Sequence, residues 1–291
     1  MTPQRPGGTL RLGPYEISRI GYGAMQLEHV DGAAAGDLLR RAVELGVNHF
    51  DTASFYGHAT VNGHLRAAFH PYPDDLVLVS KVGARRVDAP FPLVPAQRPE
   101  ELREQVQLDL ATLGLEQVPV VNLRRADRGP GISVEGDQAV PLDDQLAELI
   151  ALRNEGLIGG IGLSNVGTEQ LEQALPAGIV CVQNAYSVLD RSSEELLKLC
   201  AANGIAWIPF FPLGSAFDGL PSPTEHAVVQ KIAAELGVSP AVVSLAWILA
   251  HDEYTALIPG TRSIEHLEDN VRTAEVRLDA EALRLLDGIA S

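Results

Sequence analysis

A chain of 291 residues, 46% hydrophobic and 21% charged, carries ample apolar material for a large core and is not disordered by composition. A formal net charge of −16 excludes a binder of phosphate backbones, which needs a basic face to displace counterions, so no nucleic-acid partner is expected. No run reaches the ~18 apolar residues that span a bilayer, and the first thirty residues lack a basic start followed by an apolar stretch. A cytoplasmic protein with no membrane partner is expected.

In chain order, "TLRLGPYEIS" alternates on both sides of Gly13-Pro14 and predicts a small hairpin. "RIGYGAM" (19–25) predicts a first strand. "GDLLRRAVELG" (36–46), apolar at i, i+3, i+4 and i+7, predicts a helix that stops at Gly46. Strands follow at "VNHFDTA" (47–53) and "LVLVSKVG" (76–83), then a helix over 99–114. "VPVVNLRR" (118–125), "GGIGLSNV" (159–166) and "IVCVQNAY" (179–186) predict three more strands, separated by helices over 142–156 and 168–175. A helix over 192–204, "AWIPFFP" (206–212), helices over 223–237 and 239–251 and "TALIPG" (255–260) complete the alternation. Ser193 and Ser239 are the expected N-caps, the latter with Pro240 in the first turn. "DAEALRLLDGIA" (279–290) has no strand after it and is expected to pack outside. Cys181 and Cys200 sit in apolar segments without metal-type spacing and read as small core hydrophobes in a reducing compartment.

Eight strands alternating with helices predict an α/β (β/α)8 TIM barrel with an N-terminal hairpin and an extra C-terminal helix. The rival, an open doubly wound sheet, calls for G-x-G-x-x-G after the first strand; "GYGAMQ" (21–26) has two glycines and then fails. With no linker or composition shift, residues 1–291 read as one domain. The long connections 84–99, 126–142 and 213–225 fall on the C-terminal face of such a barrel, where active-site loops belong.

Strand alternation places Asp51 on a face with His49 and Val47, Lys81 with Val79 and Val77, and Arg124 with Asn122, Val120 and Val118. Each charged residue ends its strand, and the three strands are neighbours, so the three converge at the barrel mouth. Tyr56, in the loop "SFYG", leans over the same spot. A tyrosine is a poor acid at neutral pH, with an ordinary pKa of ~10. Nearby cations lower that pKa, and a carboxylate keeps the lysine charged. This is the chemistry of a proton donor to a carbonyl becoming an alkoxide, with Arg124 as oxyanion stabiliser. The alternative is a structural Asp51–Lys81 ion pair with Arg124 reaching solvent.

"FDTASFYG", "LVLVSKVG", "GIGLSNV", "CVQNAYSVLDR" and "ALIPGTRSIEHLEDN" together resemble the aldo-keto reductases over nearly the whole chain. The resemblance implies a barrel that binds NADPH (NADP+) in extended form without a Rossmann motif. It also implies an Asp-Tyr-Lys-His tetrad whose first three members fall on Asp51, Tyr56 and Lys81. The fourth departs: Arg124 occupies the seat of the histidine, and a guanidinium with a pKa above ~12 donates hydrogen bonds but shuttles no proton. For the nicotinamide the resemblance implies Ser164, Asn165 and Gln183, with Phe210 stacked on it, although ordinary core packing also explains a phenylalanine there. Leu213 and Gly214 lie on the pyrophosphate loop. Gly260, Thr261 and Arg262 match the 2′-phosphate site, Asp269 and Asn270 match the adenine contacts, and His266 replaces an arginine. A planar fork at Arg262 favours NADPH over NADH, unless it is only a solvated residue at a helix start.

"VVNLR", "SKVGARR" and "IPFFPLG" are similar to a bacterial branch that includes pyridoxal reductases, and the expected partner is a small-molecule carbonyl substrate. Ketoreductases of secondary metabolism use related barrels. Two other classes stay open: a Schiff-base lyase or aldolase acting through Lys81, and a non-catalytic NADPH-sensing subunit. The eight histidines lack paired-ligand spacing, so no metal is expected. His49 reads as a satisfied core residue and His58 as a candidate substrate contact. Arg85 and Arg86 hint at an anionic or polar ligand, with a simple solvated loop as the default alternative, and no signal specifies an oligomeric state.

Overall fold

The structure, a computed structural model, describes residues 4–89, 92–128, 134–214 and 222–290. Parts of the three long connections, 90–91, 129–133 and 215–221, lie outside the described residues. Strands β1 (Thr9–Leu12) and β2 (Tyr15–Ser18) pair antiparallel about Gly13, whose φ of 60° suits a glycine. Seven parallel strands follow in one sheet: β3 (Tyr22–Gly23), β4 (His49–Asp51), β5 (Val77–Val82), β8 (Val118–Arg124), β9 (Ile158–Ser164), β10 (Ile179–Gln183) and β11 (Ala206–Trp207). The predicted eighth segment closes the ring through two parallel bridges, Thr255 to Trp207 and Leu257 to Ile20. Backbone bonds on both sides hold it, among them Ala256 N to Trp207 O at 2.9 Å and Gly21 N to Leu257 O at 2.7 Å.

The helices are α1 (Gly32–Glu44), α2 (Thr60–Phe69), α3 (Pro99–Leu113), α4 (Leu142–Asn154), α5 (Thr168–Ala174), α6 (Glu194–Ala202), α7 (Ala227–Leu236), α8 (Pro240–His251), α9 (Ile264–Arg272) and α10 (Ala280–Asp287). Gly114 and Gly237 end α3 and α7 in the left-handed conformation. Ser239 caps α8 by accepting from Val242 N, whereas Ser193 makes no cap bond and instead accepts from Asn184. Helix α1 starts four residues before its apolar pattern because the Asp31 carboxylate accepts from Ala33 N and Ala34 N. Helix α10 packs outside the barrel, with Leu286 buried and Asp287 accepting from Trp247 Nε1 at 2.9 Å.

Three features escape the sequence pattern. Helix α2 buries Val61, Asn62, Leu65 and Phe69, a stripe weakened by a central Asn-Gly pair and lacking a side-chain cap. Helix α9 is short and strongly polar outside. The 84–99 connection carries a hairpin, β6 (Ala84–Arg86) against β7 (Leu93–Pro95), too short to show alternation.

Strand residues alternate between two cores. Outward residues such as Val121, Leu123, Ile161 and Leu163 pack against the helices. Inward residues Val77, Val79, Val120, Cys181, Ala206 and Ala256 fill the barrel, and Leu10, Leu12 and Ile17 of the hairpin plug its N-terminal end. Val118 belongs to the outer core, so the inward face that ends in Arg124 begins at Val120, a correction to the four-residue alternation expected. Higher in the barrel the filling turns polar. A Cβ at Gly162 would lie 1.8 Å from Asn122 Oδ1 and 2.6 Å from Cys181 Sγ, so only glycine lets these three strands converge. Gly162→Ala should therefore lower stability by about 2–3 kcal/mol through overpacking, read as a lower urea midpoint at unchanged m. An unchanged midpoint would place the strands farther apart than this.

Candidate active site

Strands β4, β5 and β8 are hydrogen-bonded neighbours, and their C-terminal ends bring Asp51, Lys81 and Arg124 to the mouth. Asp51 and Lys81 are only 3% and 6% exposed. The Lys81 ammonium donates to Asp51 Oδ1 and, at 3.1 Å, to the carbonyl of Thr52. Gln183, across the barrel on β10, donates to Asp51 Oδ2 at 2.8 Å. Both carboxylate oxygens are thereby engaged, which fixes the lysine's direction as well as its charge. Burial pulls the Lys81 pKa down, but the charges of Asp51 and Tyr56 and their hydrogen bonds outweigh it, and the net shift is upward.

Tyr56 lies over this pair, its ring centroid 5.1 Å from Lys81 Nζ and edge-on to Phe55 at 5.2 Å. The loop presenting it turns through three consecutive left-handed residues, Gly57, His58 and Ala59 (φ 57°, 51° and 64°). Two of them are not glycine, a cost of order 1–3 kcal/mol each that persists only where surroundings enforce it. Here Tyr56 N bonds Ala53 O at 3.0 Å and Ala59 N bonds Ser54 O at 2.8 Å. Burial raises the Tyr56 pKa, while Lys81 and Arg124 lower it and Asp51 raises it. The net direction is up, which reverses the lowered value expected from the cations alone: desolvation of the phenolate outweighs them.

Arg124 is half-buried, and its buried Nη1 has no hydrogen-bond partner among the described residues. Its pKa is pulled down by burial and raised by Tyr56. Its neighbour Arg125 faces the other way and is saturated by Asp127, Gln145 and the carbonyl of Val140. His49 lies inward, but neither ring nitrogen has a partner among the described residues, so it is buried without being satisfied there, and burial pushes its pKa down to about 4. His58 is exposed, with Nε2 3.3 Å from Asp88.

The residues matched to a cofactor fall in two groups around the same mouth. Ser164 pairs in register with both Arg124 and Gln183, and Gln183 keeps its Oε1 buried without a partner among the described residues. Asn165, at φ 60°, donates its amide to the carbonyls of Arg125 (2.9 Å) and Arg128 (3.0 Å). Phe210 is half-buried and edge-on to Phe211 at 5.0 Å, and Leu213 and Gly214 continue from it. In the second group, Gly260 lies so close to β3 that a Cβ would meet Gly23 O at 2.7 Å. Tyr22 donates to Thr261 O at 2.6 Å, and Ser263 caps α9 through His266 N. Arg262 and His266 are exposed, and Asn270 is buried. Asp269 pairs with Arg272 at 3.3 Å.

Sequence reading missed the polar support behind these strand ends. Asp109 of α3 is fully buried and accepts from Ser80 Oγ at 2.6 Å and Asn62 Nδ2 at 2.9 Å, while Thr52 Oγ1 donates to Asn62 at 2.8 Å. Its spacing from Leu102, Val106 and Leu113 puts an acid on an apolar helix stripe, and that was the available signal. Gln97 donates to the carbonyls of Gly83 and, at 2.8 Å, Arg124, and is itself held by Gln145.

A closed eight-stranded barrel with an ammonium, a carboxylate and a phenol at the C-terminal mouth belongs to the class of barrel enzymes whose chemistry sits on strand ends. The chain belongs to the aldo/keto reductase family, whose model matches residues 19–291. That family comprises nicotinamide-dependent oxidoreductases. Pyridoxine 4-dehydrogenase of Escherichia coli strain K12 is 40% identical, covering 97% of this chain and 98% of its own. An uncharacterized oxidoreductase of Schizosaccharomyces pombe is 33% identical, over 96% of this chain and 89% of its own. A thermostable aldo-keto reductase in complex with the inhibitor epalrestat superposes with a TM-score of 0.81 at 26% identity, covering 97% and 99% of the two chains.

The Asp109 carboxyl is pushed up to about 6, first by burial. Its ionisation therefore opposes folding: the penalty is absent at low pH and complete once pH has risen through about 6. Between pH 4 and pH 7 the wild type should lose about 2 kcal/mol of unfolding free energy relative to Asp109→Asn. Urea titrations at the two pH values check this, and a difference independent of pH would contradict it.

Proposed function

We propose that this protein is an NADPH-dependent carbonyl reductase, converting aldehyde or ketone to alcohol with Tyr56 as proton donor. The observation that carries the reading is the Tyr56 ring over a lysine that Asp51 and Gln183 hold charged at the barrel mouth. Two features fit the cofactor. Gln183 Oε1 is a buried acceptor without a partner among the described residues, suited with Ser164 and Asn165 to a carboxamide. Arg262 is exposed and makes no hydrogen bond or ion pair among the described residues, and it stands beside the start of α9, suited to a phosphate monoester. Phe210 would pack on the nicotinamide ring, Leu213 and Gly214 would line the pyrophosphate, and Gly260, Thr261, His266, Asp269 and Asn270 would complete the adenosine end. When bound, the reduced nicotinamide supplies the hydride that reaches the carbonyl carbon.

The chain's own residues do the rest. Tyr56 stays protonated because burial holds its pKa up, so the donor is loaded at neutral pH. As its proton moves to the carbonyl oxygen, Lys81 and Arg124 stabilise the phenolate, both acting to lower its cost. Asp51 keeps Lys81 charged and aimed. Arg124, in the seat of the family's histidine, donates to the substrate oxygen. The same charge weighs against a Schiff-base mechanism, which needs a neutral lysine, whereas here the Lys81 pKa is raised. A non-catalytic NADPH sensor is distinguished by turnover.

The name of the 40% identical relative supports the pyridoxal–pyridoxine pair as substrate and product, an aldehyde and its alcohol. Tyr56→Phe should lower kcat by about 10²–10⁴ while NADPH still quenches protein fluorescence. Unchanged turnover would remove Tyr56 from the chemistry. With the donor's pKa raised, kcat/KM for reduction should stay level to about pH 10, and a basic limb near neutrality would contradict that assignment. Arg262→Ala should raise KM for NADPH about tenfold or more and leave KM for NADH in place. Equal losses with both cofactors would refute the phosphate role.

A further inference from the structure

Arg124 is the outlier among the half-buried and buried arginines. Arg5, Arg41, Arg86, Arg98, Arg103, Arg125 and Arg191 each contact a carboxylate, and Arg19 and Arg153 donate to backbone carbonyls. Arg124 has no carboxylate within ion-pair distance among the described residues, and its Nη1 is enclosed yet unpartnered. The carboxylate at the same mouth is taken: Asp51 gives one oxygen to Lys81 and the other to Gln183. A guanidinium left like this loses hydration without recovering it from protein, a cost that an incoming acceptor would relieve.

The arginine is also held rather than floating. Gln97 ties its carbonyl at 2.8 Å, Gln145 donates to Gln97 Oε1 at 3.0 Å, and Arg125 anchors the opposite face of the strand through Gln145. Arg124 ends β8 beside β5, whose Lys81 lies under the Tyr56 ring, so it stands at the mouth where a carbonyl oxygen would meet the phenol. One fork nitrogen can serve that oxygen and another an acceptor next to it.

Resting on the carbonyl-reductase reading, we propose that Arg124 is an anion seat that selects carbonyl compounds bearing an ionised oxygen close to the reacting carbonyl. Two sources share that chemistry: a phenolate ortho to an aldehyde, and the carboxylate of a 2-oxo acid. The bond changes remain those of carbonyl reduction, with hydride to carbon and the Tyr56 proton to oxygen. The anion is bound and left unchanged, and the role differs from that of a neutral or proton-carrying imidazole at the same place.

The test compares kcat/KM with NADPH for two matched pairs, salicylaldehyde against 2-methoxybenzaldehyde and phenylglyoxylate against its methyl ester, at a pH where the first of each pair is ionised. Wild type should favour the ionised member of at least one pair by tenfold or more, and the pair that responds identifies the source. Arg124→Gln should bring that ratio to about one whatever its absolute rate, and Arg124→Lys, which keeps charge without the fork, should retain part of it. Salicylate, which cannot be reduced here, supplies a readout independent of turnover. It should bind wild type at least tenfold more tightly than Arg124→Gln by calorimetry, with thermal midpoints verifying that both variants fold. Ratios near one in wild type, ratios that Arg124→Gln leaves unchanged, or salicylate binding indifferent to the substitution would each overturn the seat. Loss of NADPH oxidation with all four carbonyls would instead sink the reductase reading, and salicylate alone would then decide the seat.

Discussion

An ammonium buried inside a barrel is sustainable only if its charge is answered at close range, and here the answer is Asp51. The carboxylate takes Lys81 on one oxygen and Gln183, from the far side of the ring, on the other. The ion pair therefore also acts as a strut across the barrel. Breaking such a pair by removing one partner strands the other in low dielectric, which typically costs about 3–5 kcal/mol. Placing it at the strand ends rather than deeper keeps it within reach of Tyr56, and the strained turn after Tyr56 holds the phenol there.

Behind the pair, polar side chains replace apolar filling wherever a strand end must be fixed. From the helix layer Asp109 braces β5 through Ser80 and Asn62 braces the end of β4 through Thr52, and Gln97 with Gln145 braces β8. Each donates to or accepts from a strand residue or its direct neighbour, so small shifts in α3 or α4 would be felt at the mouth. Such supporting shells set the precision of a site built on rigid elements.

Much of this architecture could be read from the residues because barrel strands obey strict alternation. "LVLVSKVG" places Lys81 on the face of Val77 and Val79, and the structure keeps it there. "VPVVNLRR" is less regular: Val118 turns outward, and only the inward run from Val120 survives. Helix α2 was invisible because its stripe runs through Asn62, a residue that looks out of place until its hydrogen bonds to Asp109 and Thr112 are seen. Nor could a sequence weigh desolvation against charge. The cations beside Tyr56 suggested a lowered pKa, but enclosure, which depends on tertiary packing, decides the sign. His49 shows the same limit, since nothing in "VNHFDTA" foretells a ring with both nitrogens unpaired among the described residues.

The proposed reaction turns on a proton and a hydride meeting one carbonyl beside a lysine that stays a spectator cation. Turnover with NADPH deuterated at the transferable C4 position tests this most directly, with the product's carbinol carbon examined for label. One deuterium delivered to that carbon, with Lys81 recovered unmodified, is the expected result. Product without the label, together with a borohydride-reducible adduct on Lys81, would contradict it.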